Sequence, residues 1–446
     1  MSKLKKQYVC TNCGNNTPKW AGQCSDCGLW GVIEEELINA VPLIKLGNVL
    51  ELQKLDGVVE EKLRTITPIK ELNRVLGGGL VSASAILLGG DPGIGKSTLL
   101  LQLVACSFPV KMSCLYITGE ESVEQIKLRS LRLGLSSTTT SILATVHIED
   151  IFSTIEADKK NIQLIVVDSI QTMVTRELSS PPGTVSQIRA CSNQLIAYAK
   201  KNNIIILISC HVTKDGQLAG PKLLEHLVDA VLYFEGDSNS HFRILRSIKN
   251  RYGGVGEIGV FDMTSNGLKE VCNPSELFLM IREKNVSGVA VFAGIEGSRP
   301  LLIEIQALIA PSTIPMPRRS VVGWDLNRLS MIIAVLNVRF GLSLSTKEVY
   351  LSVAGGLKIS DPASDLAVAV ALISAATNKS VPARSVYFGE IGLSGEIRKV
   401  HGAELRMKEA QKLGFTKVVC SKLEKLVSDL TYPIGSLKDL DNFLSK

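Results

Sequence analysis

The sequence predicts an α/β protein: a core on a parallel sheet, preceded by a small cysteine-rich ribbon and followed by an α+β domain. Three observations carry this reading. "CTNCGNNTPKWAGQCSDCGLW", near the start, doubles a C-x-x-C knuckle. "ILLGGDPGIGKSTLLLQL", residues 86–103, sets a Gly-rich loop between an apolar strand and a leucine-rich helix. Apolar runs of the buried-strand type then alternate with helical stretches as far as residue 211.

Length and composition set the bounds. A chain of 446 residues holds two or three domains with cores of their own. It contains no run of about 18 apolar residues that suggests a membrane span. The opening "MSKLKKQYVC" lacks the apolar stretch of a secretory signal. A net charge of +6 is compatible with a polyanionic partner without identifying one. Of ten cysteines, Cys106, Cys114, Cys191, Cys210, Cys272 and Cys420 are scattered. Several of these sit in apolar runs, as reduced buried thiols do, and the cytosol is the expected compartment.

Residues 1–34 hold the other four, Cys10, Cys13, Cys24 and Cys27. Each knuckle offers two thiolates to one ion, and four soft ligands suit a closed tetrahedral Zn²⁺ site. Two disulfides, or a redox C-x-x-C pair, are the alternative. Trp20 and Trp30 are expected to pack over the knuckles, since so small a fold has little other core; stacking on nucleic-acid bases is the other reading. Residues 35–64 read as a linker with a strand or two.

The core spans residues 65–271. "TITPIKELNRVLGGGL" is a helix ending in Gly77-Gly78-Gly79. The phosphate loop follows: Gly90, Asp91, Pro92, Gly93, Ile94, Gly95, Lys96, Ser97 and Thr98. Glycines let backbone N–H groups converge on the phosphates of ATP, and the helix N-terminus adds partial positive charge. Lys96 is expected at the β/γ-phosphates and the Ser97 hydroxyl on Mg²⁺. Asp168 closes the run "LIVVD" and is the second acidic element for Mg²⁺. Glu120, expected one strand over from the phosphate loop, is the candidate to orient or deprotonate the attacking water. Glu121 reads as a helix-start charge. His211, at the end of "NIIILISCHV", either senses the γ-phosphate or is a strand-end histidine satisfied by backbone. In "RSIKNRYGGVGEIG", Lys249 and Arg251 stand two apart on a strand-like stretch and so point the same way. Taken by itself, such a pair lines a solvated basic strand face.

The order of these motifs resembles a RecA-type ATPase core, and the details resemble the RadA (Sms) family of bacterial DNA-repair proteins. That family pairs a finger containing PKW-x-G-x-C and C-G-x-W with "LGGGL", "GDPGIGKST", "GEES" and "HVTKDGQLAGPKLLEHLVD", all present here in order. Its K-N-R-F-G hallmark is "KNRYG", Lys249 to Gly253, with Tyr252 in place of Phe. The resemblance implies a RecA-like core in which Lys249 and Arg251 act in trans, in a ring that is hexameric in the family's pattern. It implies single-stranded and branched DNA and the RecA recombinase as partners. The activity implied is a DNA-dependent ATPase of recombinational repair, working by branch migration or unwinding after RecA pairing. The loops carrying Arg176, Arg189, Lys214 and Lys222, together with Arg318 and Arg319, are candidate DNA contacts.

Residues 272–446 resemble the proteolytic domain of Lon, with Ser364 in "DPASDL" at the position of its nucleophile. Lon activates that serine with a lysine. Here Glu404 falls at the matching position, Lys399 and Lys408 do not, and Asp365 replaces a small residue beside the serine. A serine hydroxyl is inert near neutral pH without a base. The domain is therefore expected to be a non-proteolytic scaffold for ring assembly and DNA contact; an ATP-dependent Lon-like protease or chaperone is the alternative.

Overall fold

The computed structural model of the chain describes residues 4–39, 64–105, 108, 112–135, 140–158, 161–211, 223–236, 241–279, 286–424 and 429–444. It divides into two compact units, Met1–Glu235 with Arg243–Glu270, and Gly236–Phe242 with Val271–Lys446.

The first unit opens with β1 (Leu4–Cys10), β2 (Asn16–Thr17) and β3 (Ile33–Asn39), an antiparallel sheet in the order β2-β1-β3. Behind each cysteine pair the chain turns through a glycine, Gly14 at φ +76° and Gly28 at φ +70°. The amides of these glycines donate to Cys10 O at 2.9 Å and Cys24 O at 3.0 Å. β3 carries this sheet to residue 39, past the boundary expected at 34. Most of the expected linker, residues 40–63, lies outside the described residues.

The core follows as β4 (Arg64–Thr65), α1 (Lys70–Val75), β5 (Leu80–Val81), β6 (Ala85–Gly90), α2 (Lys96–Ala105), β7 (Cys114–Thr118), α3 (Val123–Arg132), β8 (Thr140–Ala144), α4 (Ile148–Ala157) and β9 (Leu164–Asp168). It continues through α5 (Val185–Lys201), β10 (Ile205–His211), α6 (Leu223–Leu227), β11 (Ala230–Glu235), β12 (Phe242–Asn250), β13 (Ile258–Thr264) and β14 (Gly267–Glu270). Its main sheet runs β14-β13-β12-β11-β6-β10-β9-β7-β8. The strands from β11 to β8 are mutually parallel, and β12 is antiparallel to β11. Strands apolar at every position are what a sheet covered on both faces requires. Ile86, Leu88, Tyr116 and Val166 enter one apolar core with the leucines of α2, while Leu87, Leu115, Ile117, Ile165 and Val167 enter a second with α4 and α5.

One expectation about this sheet fails. β7, which delivers Glu120, is not the neighbour of β6: β10 and β9 lie between them. The chain crosses over from β6 to β7 and then fills the gap with later strands, an order that local pattern does not encode.

The second unit contains α7 (Pro274–Phe278), β15 (Val289–Glu296), β16 (Arg299–Pro311), β17 (Arg319–Val322), α8 (Leu326–Val335), β18 (Lys347–Val353) and α9 (Asp365–Thr377). After these come β19 (Ser385–Tyr387), β20 (Glu390–Ile391), β21 (Ile397–Arg398), α10 (Ala403–Lys412), β22 (Lys417–Ser421), β23 (Thr431–Ile434) and α11 (Leu437–Leu444). A mixed sheet runs β17-β18-β16-β15-β19-β22-β23. Every residue of α9 from Asp365 to Ser374 is buried, which suits its all-round apolar, Ala-rich sequence. Among the described residues no helix is long and apolar enough to cross a membrane.

Candidate nucleotide site and zinc centre

The four knuckle sulfurs lie within 4.8 Å of one another. Cys10 and Cys27 Sγ are 3.6 Å apart, and Cys13 and Cys24 Sγ 3.5 Å. A tetrahedron with Zn–S bonds of about 2.3 Å has S···S edges of about 3.8 Å, whereas a disulfide needs about 2.05 Å. The sulfurs therefore form a zinc-binding site, and all four cysteines are free of disulfides. The indoles do not cover it. Trp20 is 63% exposed and Trp30 74%. The small core consists instead of Cys10, Cys24 and Ile33, with Tyr8 and Val32 against them.

The phosphate loop joins β6 to α2, with Asp91, Pro92 and Gly93 exposed at its crown. Glycine is required at two points. A Cβ on Gly90 (φ +155°) would lie 2.6 Å from Phe234 O, and one on Gly95 (φ +117°) 2.6 Å from Met263 Cε. Lys96, only 4% exposed, donates from Nζ to Gly90 O at 2.7 Å and Asp91 O at 2.9 Å. Burial holds its ammonium below the ordinary lysine range, opposed by the negative charge of Asp168. His211 Nδ1 stands 3.1 Å from the same Nζ.

Asp168 closes β9, beside β10. Its Oδ2 accepts from Tyr116 OH at 2.6 Å and its Oδ1 from Ser209 Oγ at 2.5 Å. Tyr116 is fully buried, and burial beside Asp168 raises its phenol well above the ordinary range. Sequence reasoning missed both partners, because Tyr116 and Ser209 read as ordinary members of apolar strands. Glu120 reaches this end of the sheet despite its strand's position. Its Oε1 accepts from Ser169 Oγ at 2.7 Å and lies 3.6 Å from His211 Nε2. Lys96, Glu120, Asp168 and His211 thus converge at the carboxyl ends of four parallel strands, where such sheets place ligands. Ser97 and Thr98 stand half-buried in the first turn of α2. Glu121 stands at the start of α3, just before Ser122, which caps the helix in a capping box with Gln125, and it pairs with Arg129 at 2.5 Å.

Lys249 and Arg251 do point the same way, but away from their own phosphate loop. Val231 of β11 pairs with both Lys249 and Leu87, while Phe234 pairs with Gly90. Lys249 is thus offset from the loop by three residues, about 10 Å along the strands, and by two strands, about 10 Å across them. Lys249 Nζ donates to Glu225 O at 2.5 Å and Val228 O at 2.9 Å, and Arg251 Nη1 meets Asp229 Oδ1 at 3.1 Å. The turn after them packs on the triple glycine: a Cβ on Gly77 would lie 2.9 Å from Gly253 Cα. Arg64 clamps the contact, donating to Gly77 O and Tyr252 O at 2.5 Å each. Of the candidate DNA contacts, Lys214 and Lys222 lie outside the described residues. Arg176 is paired with Asp150 at 2.8 Å.

In the second unit Ser364 is wholly buried. Its Oγ donates to Asp361 O at 2.7 Å and accepts from Trp324 Nε1 at 2.9 Å. Asp365 is tied to Arg328 by bonds of 2.5 and 2.6 Å. Arg406 anchors Asp361 at 2.6 Å and stacks between Phe292 and Phe388. Neither hydrogen-bond partner of this hydroxyl is a lysine or histidine that could take its proton.

Comparison with known proteins finds three family models along the chain. A family model described as "AAA domain" matches residues 50–217, one described as "Rubredoxin metal binding domain" residues 8–35, and one described as "Subunit ChlI of Mg-chelatase" residues 318–424. The chain is 68% identical over 445 residues to "DNA repair protein RadA" of Rickettsia felis, covering 100% of each chain. It is 49% identical over 426 residues to the protein of that name in Brucella abortus, with 93% of this chain and 91% of the other covered. For the Bacillus subtilis protein the identity is 46% over 427 residues, with 94% and 93% covered. With its zinc-ribbon and AAA-domain matches and relatives of 46–68% identity over nearly the whole chain, this chain belongs to the RadA family of DNA repair proteins.

Proposed function

We propose that the chain is a DNA-dependent ATPase of recombinational repair, which moves branch points or unwinds a strand after RecA has paired DNA, in the cytoplasm. The observation that carries this reading is the convergence of Lys96, His211, Glu120 and Asp168 on one end of the parallel sheet. The names of the relatives support DNA as the substrate of the work. The organisation proposed is a finger over 1–34, a linker over 35–64, the ATPase over 65–271 and a non-proteolytic Lon-like scaffold over 272–446.

The loop amides and Lys96 bind the β- and γ-phosphates of ATP. Ser97 and Asp168 would hold Mg²⁺, which supplies neutralisation of charge on the phosphates. Each Asp168 oxygen accepts one protein hydrogen bond and keeps lone-pair capacity for a water of that ion. Glu120 orients the attacking water and takes up its proton, while Ser169 fixes the carboxylate. Lys249 and Arg251 lie too far from their own loop to touch the same triphosphate, so they serve the site of an adjacent copy in a ring, which we take as hexameric. Motion of the ring then passes to single-stranded or branched DNA through loop cations.

The test is ATP turnover with and without single-stranded DNA, for wild type, Lys96→Ala and Arg251→Ala. DNA should stimulate the wild type and neither variant. Mixing the two inactive variants should restore turnover, because some interfaces then combine an intact loop with an intact arginine. Turnover indifferent to DNA, or mixtures as inactive as their parts, overturns the reading.

A further inference from the structure

The carboxylate that receives Arg251 is built in an unusual way for a surface ion pair. Asp229 is 2% exposed. Its Oδ2 accepts from the amide of Ala85 at 3.0 Å, and its own amide donates to Ala85 O at 2.8 Å. Ala85 is the first residue of β6, whose last residue, Gly90, opens the phosphate loop. Asp229 Oδ1 receives Arg251 Nη1 at 3.1 Å and Lys200 Nζ at 3.3 Å, and Asp229 O accepts from the Arg251 amide at 3.0 Å. A buried carboxylate is retained only where partners compensate its desolvation, and here the compensation comes from the strand on one side and two cations on the other.

The cations gather near two acidic groups, Asp229 and Glu225. Arg251 and Lys200 bring two positive charges to one carboxylate, and Lys249 adds a third on the carbonyls of Glu225 and Val228. The Arg251 side chain is 53% exposed and that of Lys200 42%. A guanidinium has five N–H donors in a fixed fork, so a carboxylate that holds one nitrogen also sets the direction of the rest.

We propose that Asp229 is a positioning residue for ATP hydrolysis: it holds the Arg251 fork against the base of β6, aimed outward for the triphosphate bound by an adjacent copy. This rests on the proposed role of Arg251 in trans. Asp229 touches no reacting atom. Its contribution is orientation, so its loss lowers the rate of the bound complex while leaving ATP affinity at the chain's own loop intact. Lys200 shares the carboxylate without setting the fork, and so separates orientation from simple ion pairing.

The experiment measures DNA-stimulated kcat and KM for ATP on the full chain. Arg251→Ala should lose at least 100-fold in kcat, within the range arginine fingers show (about 10³–10⁵) or just below it. Asp229→Asn, which keeps an acceptor for the Ala85 amide, should lose about tenfold in kcat with KM within twofold. Asp229→Asn combined with Arg251→Ala should be no slower than Arg251→Ala alone, the mark of residues acting as a unit. Lys200→Ala should stay within twofold. If Asp229→Asn does not fold, Asp229→Glu keeps the charge, shifts the fork, and carries the same expectation. An Arg251→Ala chain as fast as wild type overturns the reading beneath this one. A slow Arg251→Ala beside a fully active Asp229 variant, or losses that multiply in the double variant, overturns the assignment to Asp229 alone.

Discussion

Lys96 Nζ and His211 Nδ1 face each other at 3.1 Å across the mouth of the phosphate loop. Lysine has no acceptor, so the ammonium donates and Nδ1 accepts, which puts the ring proton on Nε2, facing Glu120 Oε1 at 3.6 Å. The imidazole therefore stands between the phosphate-binding cation and the candidate base. A triphosphate that draws Lys96 away changes what His211 holds, and with it the restraint on Glu120. His211→Ala should lower kcat about tenfold with a smaller change in KM, as expected for a group that tunes a base. Steady-state turnover checks this, and an unchanged kcat leaves His211 a structural strand end.

Burial depresses the Lys96 ammonium, and the sign of the pH effect follows. The folded site holds this proton less tightly than the unfolded chain does. The charge therefore costs stability at neutral pH, and that cost fades as pH rises through the folded pKa toward the ordinary 10.5. Nucleotide binding needs the charge and runs the other way. Affinity for a non-hydrolysable ATP analogue should fall with rising pH below 10.5 in wild type. In Lys96→Arg, whose cation does not titrate there, the fall should vanish. Binding titrations across alkaline pH read this directly.

Legibility followed how local each signal is. The phosphate loop and the cysteine knuckles are short-range patterns whose chemistry is complete within a few residues, and both stand in the fold as read. Glu120 was legible as a carboxylate following a strand but not in its neighbourhood, because the order of parallel strands is settled by crossovers of a dozen residues or more. Tyr116 and Ser209 were invisible as partners of Asp168, since a strand buried on both faces hides which member meets a carboxylate. Trp20 and Trp30 misled for a related reason: the ribbon's small core is Cys10, Cys24 and Ile33, with Tyr8 and Val32 against them. Asp229 reads as the last polar residue before a strand, and only the register of β6, β11 and β12 reveals what it joins.

Because the ribbon's core is mostly its own thiols, the metal holds it together. Structural zinc contributes on the order of 10 kcal/mol or more to such modules, far beyond what Ile33, Tyr8 and Val32 supply. A chelator, or Cys24→Ser, should open residues 8–35 to limited proteolysis. One zinc per chain should be lost at the same time, while ATP-analogue binding stays within about twofold. Metal analysis alongside peptide mapping tests both halves, and a ribbon that resists protease without metal contradicts the account.

Ser364 stands where a hydrolase would keep its nucleophile, yet its environment is a structural one. Its proton goes to Asp361 O and its lone pair to the Trp324 indole, with no cation or imidazole among its hydrogen-bond partners. Arg406 holds the Asp361 carboxylate, and turning the serine outward would break its bonds to Asp361 O and the Trp324 indole. Two consequences are measurable. A fluorophosphonate should not label Ser364, and ATP should not drive cleavage of an unfolded protein. Ser364→Ala should cost about 1–3 kcal/mol in denaturant unfolding, because it leaves the Trp324 N–H without its acceptor. That loss should come with ATP turnover unchanged, since the residue belongs to the packing of the second unit and not to the nucleotide site. Labelling of Ser364 would reverse this assignment and return the domain to the proteases it resembles.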